Sequence, residues 1–197
     1  MVSILVFLAV VCVVGLFFMQ IFNRLVLLKN RFLNAFSQIE VQLKRRYDLI
    51  PSLVETAKGY LKHESETLEK VISARNTASK SLKNTQQNPA DPTLMGALSQ
   101  ANQELSSAMS KLNFVMEDYP DLKANETMQQ LHEEITTTEN KVAFARQAYN
   151  DSVMTYNTYR QSFPQNILST TFGHPNDATL LEFEDTKEIQ QAPKVSF

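Results

Sequence analysis

The first 22 residues, MVSILVFLAVVCVVGLFFMQIF, contain no charged side chain, and fifteen of them are Leu, Ile, Val or Phe. As a helix this run would be ~33 Å long, against a bilayer hydrocarbon core of ~30 Å. Its apolar side chains outweigh Ser3 and Gln20 in transfer free energy near the middle of a membrane. A cleavable leader would need a basic start, a shorter apolar core and a small-x-small site, and none is present. The pattern therefore predicts an uncleaved transmembrane anchor over residues 1–22.

Beyond the span the apolar positions recur every three to four residues. Phe22, Leu25/Val26, Phe32/Leu33, Phe36, Ile39 and Leu43 form a stripe that continues the span outward as an amphipathic helix. A second stripe runs through Leu53/Val54, Ala57, Leu61, Leu68 and Val71/Ile72, then dissolves into the polar connector NTQQNPADPT. Between the two lies QLKRRYDLIPSLV. It reads as a hairpin corner: Lys44, Arg45 and Arg46 close one helix, where exposed carbonyls favour cations, Asp48 caps the next, and Pro51 sits in its first turn.

Asp91-Pro92 has the form of an N-cap followed by proline at the first helical position. It opens a third helix with Leu98, Leu105 and Leu112 at sevens. Tyr119-Pro120-Asp121 marks the next boundary, and the fourth helix places Met128, Ile135, Val142, Tyr149, Tyr156 and Phe163 at strict seven-residue intervals before Pro164 ends it. Sequential amphipathic helices joined by short connections predict an all-α fold: an antiparallel four-helix bundle with up-and-down-like topology over residues 23–164. From residue 165 to 197 the periodicity is lost, and this stretch reads as a flexible tail.

Charge sharpens this division. Residues 23–46 carry six cations against Glu40 alone, a balance of +5, whereas residues 47–164 come to −4 and the tail to −3. The overall charge of −2 argues against a nucleic-acid binder. Arg24, Lys29 and Arg31 follow the span closely enough to meet lipid headgroups, and by the positive-inside rule they place the N-terminus outside and the C-terminal domain in the cytoplasm. An upright helix would hold Arg46 ~36 Å from the membrane edge, far beyond a Debye length of ~8 Å, so the Lys44–Arg46 cluster is a candidate for contact with a protein partner and not with lipid.

The chemistry-bearing residues form no catalytic pattern. His63-Glu64-Ser65-Glu66-Thr67 and His132-Glu133-Glu134-Ile135-Thr136 begin like a zinc-protease helix, but each has Thr where the second histidine must stand. With His174 the only other histidine, a three-ligand zinc site is not expected, and the four glycines are too scattered for a phosphate loop. Cys12, the single cysteine, lies inside the apolar span, so no intrachain disulfide can form. No metal, cofactor or small-molecule substrate is expected. Tyr149-Asn150 is echoed seven residues on by Tyr156-Asn157. Each pair sets a ring on the core face with an amide beside it, which favours hydrogen bonding to a neighbouring helix over ligand binding.

The stretch QLKRRYDLIPSLVETAKGYLKHESETLEKV resembles the signature of the LemA family of bacterial membrane-anchored proteins, and the likeness continues through YPDLKANETMQQLHEEITTTENKVAFARQAYNDSVMTYNTYRQSFP to the terminal APKVSF. The resemblance implies an N-terminal membrane helix, mostly N-out, and a four-helix bundle with no established enzymatic activity. The tail segment HPNDATLLEFEDT is more acidic than the basic, aromatic segment that family members often carry there. Relatives include a magnetosome-membrane protein, and some family genes neighbour those for a membrane zinc metalloprotease.

The leading expectation is a non-enzymatic, single-pass protein of the bacterial inner membrane that self-associates and acts as an envelope scaffold. The alternative is an adaptor or regulator of a membrane protease or signalling enzyme, with the alternating apolar ending Val195-Ser196-Phe197 taken up by a strand-adding groove.

Overall fold

The structure is a computed structural model that describes residues 1–182. The described residues form helices joined by short turns, with no strand among them. Helix α1 runs without interruption from Val2 to Lys58. Every residue of it before Ile21 is exposed, and Ile21 is the first buried side chain. From there Leu25, Leu28, Phe32, Phe36, Ile39, Leu43, Tyr47, Ile50, Val54 and Ala57 are buried at steps of three and four. One helix therefore changes character along its length. It is apolar on all sides where it is bare and amphipathic where the bundle covers it.

Helix α2 (Ser65–Thr85) turns back along α1, and α3 (Pro92–Met116) returns beside α2. After the single-turn α4 (Pro120–Lys123), α5 (Glu126–Gln161) runs antiparallel to α1. The register is fixed at three levels: Tyr60 meets Asn125, Arg46 meets Glu139, and Phe32 stacks against Tyr156 and Tyr149. Four long helices thus alternate in direction. The leucines at sevens in α3 and the residues at sevens in α5, from Met128 to Tyr156, all face the core.

Several local expectations hold. Asp91 accepts hydrogen bonds from the backbone N–H groups of Thr93 (2.8 Å) and Leu94 (3.2 Å), with Pro92 at the first helical position. Other boundaries move. The corner expected at Lys44–Pro51 does not exist: α1 passes through it, and the turn comes at Gly59–Glu64. Asp48 therefore caps nothing. Pro120-Asp121 starts only the short α4, while Asn125 caps α5 by accepting from the backbone N–H of Met128 at 3.0 Å. Phe163, last of the heptad series, is 79% exposed because α5 has already ended at Gln161.

The tail is also corrected in part. Residues 165–182 are not loose: the one-turn α6 (Gln165–Leu168) is followed by a strap that buries Ser169, His174, Ala178 and Leu181 against the bundle. The remaining tail expectation, including Phe197, lies outside the described residues.

Candidate functional site

The first polar cluster lies midway along α1, where Arg46, Tyr47, Asp48 and Pro51 connect that helix to the other three. Pro51 has no N–H, so it leaves the carbonyl of Tyr47, four residues earlier, without its helical donor. Arg75 of α2 supplies the replacement: its Nε donates to the Tyr47 oxygen at 2.9 Å. Its Nη2 lies 3.6 Å from Asp48 Oδ1. A proline that would ordinarily end a helix is accommodated by a side chain from the neighbouring one.

Tyr47 is 1% exposed and its hydroxyl donates to Asn102 Oδ1 of α3 at 2.7 Å. Burial pushes the phenol up to about 12, against smaller opposing effects of the Asn102 bond and the Arg46 charge. Asn102 in turn donates to the Leu98 carbonyl at 2.9 Å, which fixes its amide. Arg46, 5% exposed, pairs with Glu139 of α5 and donates to Ser106 Oγ of α3 at 3.3 Å. Its Nε has no hydrogen-bond partner among the described residues. A cleft of about 330 Å³ opens here between α3 and α5, lined by Arg46, Asn102, Ser106, Glu139 and Asn140 among others. Ser106 of α3 and Glu139 of α5 meet on the same Arg46 guanidinium nitrogen. The polar groups of this cluster join helices.

The three cations therefore part company. Arg46 turns inward, Arg45 reaches Glu134 of α5 across 3.9 Å with both side chains exposed, and Lys44 is exposed. An exposed pair at that distance contributes little.

The second cluster is the Tyr-Asn repeat of α5, and its partner is the strap and not a helix. Asn150 Nδ2 donates to the Leu181 carbonyl at 3.1 Å while its Oδ1 accepts from the Leu181 N–H at 2.9 Å. Asn157 does the same with Ala178, at 2.9 and 2.8 Å. Each amide thus pairs both backbone groups of one residue, as a strand neighbour would. The spacing explains the repeat: seven helical residues advance ~10.5 Å and three extended residues ~10 Å, so amides at a heptad interval meet strap residues three apart.

The tyrosines complete this clamp. The Tyr149 hydroxyl donates to the Thr179 carbonyl at 2.8 Å, within 3.2 Å of the Pro89 carbonyl, and its ring packs edge-on against Phe32 and Phe36. Tyr156 shares a hydrogen bond of 3.0 Å with His174 Nδ1. Arg160 donates to Asp177 at 2.7 Å and to the Pro175 carbonyl at 3.0 Å. Burial raises both phenols. Burial first, then the charges of Lys29 and Arg160, hold the His174 imidazole below its ordinary value. The side chains of the Tyr-Asn repeat are engaged by the chain's own strap.

Arg24, Lys29 and Arg31 are exposed on the part of α1 just past the bare segment. Among the described residues no three His, Cys, Asp or Glu side chains stand close enough to hold a metal.

The LemA family pattern matches residues 35–197, most of the chain. The chain belongs to the LemA family. The match takes in both polar clusters of this LemA-family bundle, whereas the apolar run before residue 22 lies outside it. Protein LemA of Metamycoplasma hominis is 28% identical over 147 residues, which cover 75% of this chain and 63% of that relative, so the matched part spans less than two thirds of the relative's own length. Arg75, Asn102, Ser106, Glu139 and His174, which complete the two clusters, were not singled out from sequence. The spacing of Leu43, Tyr47, Ile50 and Val54 across Pro51 carried the signal that the proline is internal and that the Tyr47 carbonyl needs an outside donor, without singling out Arg75.

Proposed function

We propose that this LemA-family chain is a non-enzymatic, single-pass protein of the bacterial inner membrane that self-associates and organises partners at the membrane surface. The observation that carries this reading is the continuity of α1. Its N-terminal segment is apolar enough to span a membrane and is wholly uncovered, and the same helix becomes the central stave of the bundle. A rigid stalk of this kind sets every copy in one orientation at high local concentration, which makes association between copies cheap in entropy. The cations Arg24, Lys29 and Arg31 after the span support an N-outside orientation and contact with lipid headgroups.

Light scattering of the full-length protein in mild detergent tests self-association. A mass at a multiple of 22.4 kDa supports it, and a strictly monomeric species with intact helical content overturns it. The adaptor reading rests on the alternating apolar ending Val195-Ser196-Phe197, suited to capture by a strand-adding groove of a membrane protease or signalling enzyme. Deleting residues 193–197 should remove a partner from a membrane crosslinking pull-down; an unchanged set of partners eliminates this reading.

A further inference from the structure

The chain that follows α5 returns to the level where the apolar span ends. Ser162 and Arg24 line one cleft, and Arg24 stands two residues past Phe22, ~3 Å along the helix. The ring of Phe172 meets Phe22 edge-on, with centroids 5.6 Å apart and planes at 84°. Between these contacts the sequence QSFPQNILSTTFG, residues 161–173, contains no charged side chain. Two of its large apolar side chains point away from the protein: Phe163 is 79% exposed and Ile167 is 65% exposed. The nearest charges in the chain on either side, Arg160 and Asp177, are tied to each other.

A single exposed apolar side chain in water needs no explanation. An uncharged loop with two of them, set against the exit of a bare apolar helix, is a different arrangement, because aromatic and aliphatic side chains partition to the interface between headgroups and hydrocarbon. We propose that residues 161–173 form a second membrane contact, a foot that lowers Phe163 and Ile167 into the lipid interface beside the span. The occupant is lipid because the patch is continuous with the bare surface of α1 through the Phe22–Phe172 contact. This inference rests on the membrane-anchored reading of α1. A protein held by a single helix can tilt and swivel about it. A foot at the end of the neighbouring stave, α5, fixes both motions and sets which faces of α3 and α5 look along the membrane plane.

The chain has no tryptophan, so a single introduced one reports on its own surroundings. Three full-length variants, Phe163→Trp, Phe7→Trp in the span and Phe114→Trp near the far end of α3, would each be reconstituted into phosphatidylcholine vesicles with and without lipid brominated near the headgroup end of its acyl chains. Phe114 is 77% exposed and serves as the water reference. The foot predicts blue-shifted emission and loss of fluorescence in brominated lipid for Phe163→Trp, with no loss for Phe114→Trp. Emission from Phe163→Trp that matches the Phe114→Trp reference overturns the proposal. So does blue-shifted emission that brominated lipid fails to quench, since a protein surface then covers the patch. If Phe7→Trp is itself unquenched, the anchor reading fails and the foot with it; quenching of Phe7→Trp alone removes only the foot.

Discussion

The crossing around Arg46, Tyr47 and Pro51 and the clamp of Asn150 and Asn157 solve the same problem in opposite ways. Both use side chains to satisfy backbone groups that regular structure leaves open. At the crossing the open group is one carbonyl inside a helix, and the donor Arg75 comes from another helix with its charge half-tied to Asp48. At the clamp the open groups belong to an extended strap with no strand beside it, and neutral amides take that role. The crossing lies between staves and cannot be released without parting them. The clamp holds the strap along α5 and against the α2–α3 connection, where Thr179 Oγ1 donates to the Ala90 carbonyl, but it joins no two staves to each other, so the strap should let go while the bundle stays folded. Polar groups of similar number thus fix the global fold in one place and a separable segment in the other.

The sharpest test separates local from global loss. Replacing Asn150 and Asn157 together by Ala removes four hydrogen bonds to the strap, at ~1 kcal/mol each, and should raise the opening of residues 174–182 by up to ~10³-fold. Hydrogen exchange on the strap should show this while the unfolding midpoint of the bundle stays nearly unchanged. A cooperative fall in that midpoint would merge the two regions into one unit and break the contrast.

The matching change at the crossing is Tyr47→Phe, which leaves Asn102 Oδ1 buried without its donor. It should lower global stability by ~1–3 kcal/mol, read as a shift of the denaturation midpoint with an unchanged slope. Tyr149→Phe removes a hydroxyl of equal burial but frees carbonyls of the strap and the α2–α3 connection, so its effect should appear mainly in strap exchange. Equal global effects from the two variants would sink the distinction.

What was legible in the sequence follows from this difference. The bare span, the α5 series from Met128 to Tyr156 and the Asp91 cap each depend on one segment alone, and each is found as the pattern indicates. Pro51 misled because its local rule, that proline ends a helix, is overridden by a donor from α2. The unbroken burial of Leu43, Tyr47, Ile50 and Val54 at steps of three and four held the contrary information. The strap misled for another reason. Tyr149, Asn150, Tyr156 and Asn157 were visible as a repeat, but they bind backbone, and backbone recognition leaves no periodic mark on the segment recognised. The twelve uncharged residues 162–173 after α5 likewise look like a tail until the fold sets them beside Phe22.

The role assigned to Arg75 can be isolated by a double-mutant cycle. Arg75→Met keeps much of the apolar stem and removes the donor to Tyr47, which should cost ~1–2 kcal/mol in the native protein. In a Pro51→Ala background the chain regains an N–H that can bond the same carbonyl, so the cost of Arg75→Met should shrink by ~1 kcal/mol. Additive effects would mean that Arg75 acts through Asp48 or through its stem, and the carbonyl account would fall.

The smallest expected effect is a pH dependence confined to the clamp. His174 lies between the Tyr156 hydroxyl and the positive charges of Lys29 on α1 and Arg160 on α5, with Asp177 nearby on the strap. Burial and those cations depress its folded-state pKa, so the neutral imidazole is the bound form. Its contribution is therefore complete above the ordinary value of about 6.5 and is lost as pH falls through the lower folded value. Asp177 is depressed too, chiefly by the Arg160 hydrogen bond, but its contribution is complete above the ordinary carboxylate value of about 4 and is lost only below it. As pH falls the His174 window opens first, near 6.5, and the Asp177 window only below about 4. Strap exchange, corrected for intrinsic rates, should rise on acidification below about 6.5 before any change in the bundle, and His174→Gln should flatten that rise. Protection that stays level until the carboxylate range would leave Arg160 and Asp177 holding that end of the strap, with His174 merely buried beside them.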